Sequence, residues 1–149
     1  MKILTGDEAR RCRAKGVSGE LELALKLQGH LGVKLKRRLD QYQQKGHDLA
    51  VPVEARGPVA DELRRYSFEV KRAATPQINS WWRQAERQAG DERVPLLAYR
   101  IDRFKWRIRL PLSELVETIP RWPGSEHTVE LGLAAFAAVV REKANARAG

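Results

Sequence analysis

Apolar positions recur along this chain with two different spacings, and the switches between them mark out its elements. Leu21, Leu23, Ala24, Leu27 and Leu31 gather on one side of a helix at about 3.6 residues per turn. Ser18 is placed to cap that helix and Gly32 to close it. Upstream, Thr5-Gly6-Asp7-Glu8 has capping-box spacing and predicts a separate short, basic helix that stops near Gly16. From Val33 to Leu39 the period drops to two. Val33 and Leu35 alternate with Lys34, Lys36 and Arg38, which predicts a strand with one wet, positive face. Residues 40–46 read as a polar turn, and a second strand begins over 47–51 with Asp48 at its start. Residues 54–65, with Gly57 and Pro58, read as either a long hairpin loop or a short helix over Val59 to Arg65.

Tyr66 to Arg72 alternates again, with Phe68 and Val70 on one face and Glu69 and Lys71 on the other. Thr75-Pro76 predicts a helix start, with Thr75 as cap and Pro76 in the first position. Ile78, Trp81, Trp82, Ala85 and Ala89 share one face of that helix, Gly90 ends it, and Gln84 and Gln88 lie together on a flank. The two tryptophans read as core rather than as base-stacking groups. Val94 to Arg100 is apolar enough for a buried central strand. In the next, Phe104, Trp106, Ile108 and Leu110 point inward, with Lys105, Arg107 and Arg109 outward. A short helix from Pro111 and Ser113 to about Ile119 is expected, then a turn at Pro120 to Gly124. A last helix over Glu126 to Lys143 follows, with Val129, Leu133, Phe136, Ala137 and Val140 on one side. The order α-β-β-β-α-β-β plus C-terminal helices predicts an α/β domain, a mixed sheet flanked by helices.

The length of 149 residues suits one domain. Residues 18–110 read as its core, 1–17 as a basic arm or helix, and 111–149 as a helical extension. No apolar run matches a membrane span, and no signal peptide is evident, so a cytoplasmic protein without a membrane partner is expected. The single Cys12 excludes an internal disulfide or a cysteine zinc site, and His30 and His127 have no zinc spacing. Charge adds the first functional hint. The excess of 28 Lys+Arg over 19 Asp+Glu, a net +9, favours a polyanion, with nucleic acid ahead of a membrane surface.

Two residues break the pattern in a chemically useful way. Glu20 falls within the apolar arc of its helix while Glu22 falls opposite, toward solvent. A carboxylate on a buried face is costly unless something pairs with it, although a first-turn Glu also suits a helix dipole. Glu69 and Lys71, two apart on a strand, point the same way, and Asp48 lies on the preceding strand. Phosphodiester hydrolysis needs an activated water and a stabilised leaving oxygen, which one or two Mg²⁺ ions can supply through hard oxygen ligands. Asp48 and Glu69 can converge on one ion, with the Val70 carbonyl within reach and Lys71 beside the attacking water or the phosphate.

Taken together, Glu20 after Gly19, Gly46-His47-Asp48, Glu69-Val70-Lys71, Gln84 in Trp82-Arg83-Gln84-Ala85, and Val94-Pro95 before an apolar strand resemble the PD-(D/E)XK nucleases. The similarity is to the archaeal and phage Holliday junction resolvase branch and runs from about Ser18 to Leu110. His47 stands where that motif has Pro, and as a loop histidine it is either a proton carrier or incidental. The resemblance implies a restriction endonuclease-like core, metal residues Glu20, Asp48, Glu69 and Val70, and catalytic residues Asp48, Glu69, Lys71 and Gln84. Gln88 and Gln77 are rivals for the last place. It implies Mg²⁺, with Mn²⁺ as a substitute, no nucleotide cofactor, and a phage setting.

The function so implied is a structure-selective DNA endonuclease that nicks four-way junctions symmetrically as a homodimer. The dimer contact is expected over residues 124–144 or on an exposed apolar part of the sheet. Phosphate contacts are expected from Arg10, Arg11 and Arg13 on the arm, and from Lys34, Lys36, Arg38, Lys105, Arg107 and Arg109 on the two strands. The alternatives are another nuclease of the same fold, for flaps, single strands or restriction-like cutting, and a non-catalytic DNA-binding protein.

Overall fold

A computed structural model describes residues 5–38 and 48–148; for residue 9 and residues 11–16 it describes the backbone alone. The expected turn at 40–46, His47, and the side chains of Arg11, Cys12 and Arg13 therefore lie outside the described residues. Six strands form one sheet in the order β1-β2-β3-β4-β5-β6. They are β1 (Lys36–Arg37), β2 (Leu49–Ala50), β3 (Tyr66–Ala73), β4 (Val94–Ile101), β5 (Arg107–Pro111) and β6 (Thr128–Gly132). All neighbours are antiparallel except β3 and β4, which run parallel with Glu69 opposite Leu97 and Lys71 opposite Tyr99. A parallel pair needs a crossover, and helix α3 (Ile78–Ala89) provides it. The architecture is the mixed α/β sheet between helices that the pattern predicts.

Helices α1 (Gly6–Leu31), α2 (Pro58–Leu63) and α4 (Leu133–Ala148) belong to one side of the sheet and α3 to the other. Leu23 and Leu27 of α1, Phe68 and Val70 of β3, and Phe136 and Val140 of α4 share the main core. Burying a Leu or Phe of this kind stabilises the fold by about 2 kcal/mol each. Trp81, Trp82 and Ala85 of α3 close a second core over Leu97 and Tyr99. The tryptophans are core, as expected.

Several boundaries differ from the pattern. α1 is one helix of 26 residues: the Thr5–Glu8 capping box forms at its start and Gly32, at φ 75°, ends it. Gly16 does not stop it, and Ser18 caps nothing. Leu21 and Leu25 are exposed, at 53% and 67%, so the buried stripe is Leu23, Ala24 and Leu27. α3 starts at Ile78 after Gln77, without a side-chain cap from Thr75. The short helix expected up to Ile119 is only a 3-10 turn over Leu112–Glu114. The span 126–143 is not one helix: Thr128–Gly132 pairs with β5 as an edge strand before α4 begins. Val129 accordingly packs from a strand. Phe104 is 67% exposed, outside β5, and does not point inward. No helix among the described residues is long and apolar enough to cross a membrane.

Candidate active site

Asp48 lies just before β2, and the backbone of β3 brackets it. Its amide donates to the Phe68 carbonyl at 2.6 Å, and its Oδ2 accepts from the Val70 amide at 2.8 Å. Amide and carbonyl of one strand residue point to the same edge. The Val70 carbonyl is thus aimed toward the edge where Asp48 sits. One residue earlier, Glu69 faces the α3 side of the sheet and is 2% exposed. Its Oε1 lies 3.2 Å from Lys71 Nζ, while its Oε2 is buried with no hydrogen-bond partner. A buried carboxylate oxygen left in that state is costly unless a cation or donor completes it.

The electrostatics agree. Burial pushes the Glu69 carboxyl up to about 7, the negative charge of Asp48 adds to this, and Lys71 opposes it. Asp48 is pushed up to about 6, again chiefly by burial, with the Val70 amide pulling it down and Glu20 pushing it up. Burial is thus the main reason both carboxyls favour their neutral forms, with their mutual repulsion and the nearby Glu20 adding to it.

Glu20 is delivered by close packing of α1 on β3. A Cβ added at Gly19 would stand 3.2 Å from Arg72 Cβ and 3.7 Å from Trp106, so glycine lets the helix sit a few tenths of an ångström closer than a larger residue would. Glu20 Oε2 takes a 2.5 Å bond from Arg37 Nε of β1. Arg37 is a partner of Glu20 that the pattern reading passed over, yet a signal was there. It follows Val33 and Leu35 in the inward-facing parity, so it is a cation on an apolar face, as Glu20 is an anion on one.

Glu22 is the second correction. It does not face solvent: it accepts from Trp106 Nε1 at 2.8 Å and lies 3.1 Å from Arg100 and 3.8 Å from Arg72. An inward tryptophan whose indole N–H needs a partner was the available signal. Among the described residues no three acidic, His or Cys side chains are gathered closely enough to grip an ion as they stand. Glu20 is turned to Arg37, and Glu69 to Lys71.

The other expected residues divide. Gln84 is half-buried on α3, and Gln77 precedes that helix. Gln88 has its Oε1 buried without a hydrogen-bond partner, so the unsatisfied amide belongs to the rival. Lys34 and Lys105 are exposed, Lys36 reaches Glu54 at 3.3 Å, and Arg10 reaches Asp7 at 3.2 Å. Arg38 is half-buried, its amide bonded to the Asp48 carbonyl. Arg107 and Arg109 do not form a free basic face. Both pair with Glu130 of β6, at 3.2 and 3.1 Å, and Arg109 also donates to Thr128 and to the Ser125 carbonyl.

This acid pair and lysine lie within a longer likeness. The model of a family described as phage putative PDDEXK endonuclease matches residues 11–133. The chain belongs to this family. Comparison with curated proteins gave no match, and neither did comparison with solved structures. The mixed six-stranded sheet between helices is therefore the restriction endonuclease-like core of a PD-(D/E)XK protein, and Asp48 and Glu69-Val70-Lys71 fall within the matched span. Nucleases of this kind generally work with a divalent cation. The donor set suits one: hard oxygens, two raised carboxyls, and a buried Glu69 oxygen without a partner.

Proposed function

We propose that the protein is a Mg²⁺-dependent DNA endonuclease, with Mn²⁺ able to substitute, acting on branched DNA as a homodimer that resolves four-way junctions. The observation that carries the nuclease reading is the convergence at β3. Asp48 is fixed by the Val70 amide, Glu69 is held by Lys71 at 3.2 Å, and the other Glu69 oxygen is buried without a partner. Asp48, Glu69 and the Val70 carbonyl are the oxygens to hold the ion, with Glu20 joining once it leaves Arg37. When bound, the cation supplies Lewis acidity and a water of lowered pKa. Lys71 keeps Glu69 oriented and places positive charge beside the scissile phosphate, where charge builds in the transition state. Arg37 is a positioning residue for Glu20. Gln84 and Gln88, on the helix covering this face, are candidates for orienting the water.

The branched substrate is supported by the resemblance to junction resolvases and by the basic charge, and a two-fold dimer matches the symmetry of a four-way junction. Purified protein with Mg²⁺ on a synthetic four-way junction is expected to give paired symmetric nicks and, by mass in solution, a dimer. Equal cutting of linear duplex overturns the junction reading. Asp48→Asn and Glu69→Gln are each expected to abolish cleavage with junction affinity kept within about threefold, since neither residue carries the phosphate contacts. Equal loss of binding by both variants would make these residues structural.

A further inference from the structure

From the catalytic strand, the α3 face of the sheet continues into a groove. Glu69, Lys71 and Ala73 project to that face, and their partners across the parallel pair are Leu97, Tyr99 and Ile101. Beyond Tyr99 the surface opens into a cleft of about 670 Å³ whose walls are Pro76, Ile78, Tyr99, Ile101 and Phe104. Lys105 and Arg107 also line it, Lys105 exposed and Arg107 paired with Glu130 at 3.2 Å. Apolar walls with a few polar groups are the usual make-up of a pocket for a flat organic ligand.

The hairpin between β4 and β5 forms one wall, and its backbone is unusual. The Phe104 amide closes a tight turn onto the Ile101 carbonyl at 2.9 Å, and the Asp102 amide bonds the Ala73 carbonyl at 3.0 Å. Inside this turn Arg103 has φ 71°, the one left-handed non-glycine residue among those described. A side chain in that region costs about 1 kcal/mol or more, which a loop selected for stability alone avoids by using glycine. The outcome of the turn is an outward Arg103-Phe104-Lys105, with the phenyl ring exposed between two exposed cations. Sequence alternation assigns Phe104 to the core, and the structure denies it that role.

We propose that this cleft receives an unpaired nucleobase of the DNA strand lying across Lys71, stacked against Phe104, with Arg103 and Lys105 contacting the flanking phosphates. The inference rests on the nuclease reading and names its substrate class: DNA with bases out of the duplex beside the cut. An aromatic face accepts any base, and cations on either side track the backbone, the combination by which proteins hold single strands. The occupant is a base rather than an apolar peptide because exposed Arg103 and Lys105 flank Phe104 and the cleft follows the catalytic strand by one residue pair. Adjacent strands stand about 4.8 Å apart, so Tyr99 is a direct neighbour of Lys71.

The test is binding, read without cleavage. In an Asp48→Asn background, a short single strand carrying one 2-aminopurine, a four-way junction with the same analogue at its branch point, and a matched duplex are titrated by fluorescence and anisotropy. Phe104→Ala is expected to weaken the single strand and the junction about 10-fold, to leave the duplex within about twofold, and to abolish quenching of the analogue. Phe104→Trp is expected to restore both. Unchanged affinity for unpaired DNA, or an equal loss on duplex, overturns the proposal. Because no step depends on catalysis, an inactive enzyme that still quenches through Phe104 separates failure of the nuclease reading from failure of this one.

Discussion

Glu69 and Asp48 are carboxyls that the fold keeps in an environment better suited to their neutral forms. Both are pushed up, from ordinary values near 4 to about 7 and about 6, so the folded chain retains protons that the unfolded chain gives up between those values. With more protons bound when folded, stability falls as pH rises through that window. Without divalent metal, melts between pH 5 and 8 are therefore expected to lose on the order of 2 kcal/mol. Glu69→Gln, which cannot ionise, is expected to flatten most of that loss. If the pair holds a divalent cation as proposed, adding one is expected to reverse the trend, since it would bind the ionised pair and stabilise by mass action, more strongly at the alkaline end. A wild-type melting curve flat across this range in chelator would show that the acids are not strained. The lysine at 3.2 Å does not remove the cost, since it reaches only one of the two Glu69 oxygens.

At the scale of elements, the approach of α1 to β3 sets where Glu20 stands. Gly19→Ala adds a methyl 3.2 Å from Arg72 Cβ, a rooted atom that cannot swing away, so the helix must move by a few tenths of an ångström. Alanine gains about 1 kcal/mol of helix propensity, against an overpacking cost of about 1 to 3 kcal/mol. Melting temperature is expected to fall only slightly, while cleavage falls about 10-fold through misplaced Glu20. Unchanged cleavage would remove Glu20 from the machinery. The sequence shows this element only in part. The buried stripe of Leu23, Ala24 and Leu27 is legible by its spacing, and so are β3 and β4. What is not legible is where a partner lies. Glu20 and Arg37 each look misplaced on an apolar face until they meet, and Glu22 reads as solvent-facing until Trp106 and Arg100 arrive from the other end of the chain. Local caps mislead for the same reason: Ser18 has capping chemistry, but the preceding turns of α1 already use the backbone amides it would bind. β6 is hidden because its brief alternation of Val129, Glu130 and Leu131 runs directly into the apolar residues of α4.

For the whole molecule, a net charge of +9 favours a polyanionic partner without saying which cations would meet it, and the ion pairs divide them. Arg109, with its side chain 19% exposed, is committed to Glu130, Thr128 and the Ser125 carbonyl, and so ties β5 to β6. Lys105 stands exposed on the hairpin beside the cleft. A cation that neutralises a phosphate releases about one counterion, and the slope of log affinity against log salt counts such contacts. Lys105→Ala is therefore expected to weaken DNA binding at low salt and to lower that slope by about 1, with melting unchanged. Arg109→Met is expected to leave the slope alone and to lower stability by about 2 kcal/mol, since it removes the Arg109 bonds to Glu130, Thr128 and the Ser125 carbonyl, while Arg107 and the Tyr99 hydroxyl still hold Glu130. Salt titrations of the two variants on one four-way junction, alongside their melts, decide between these roles. A reduced slope in Arg109→Met would return that arginine to the DNA-binding face. An unaltered slope in Lys105→Ala would move the DNA track away from the β4–β5 hairpin, toward Lys34 and Lys36 at the other edge of the sheet.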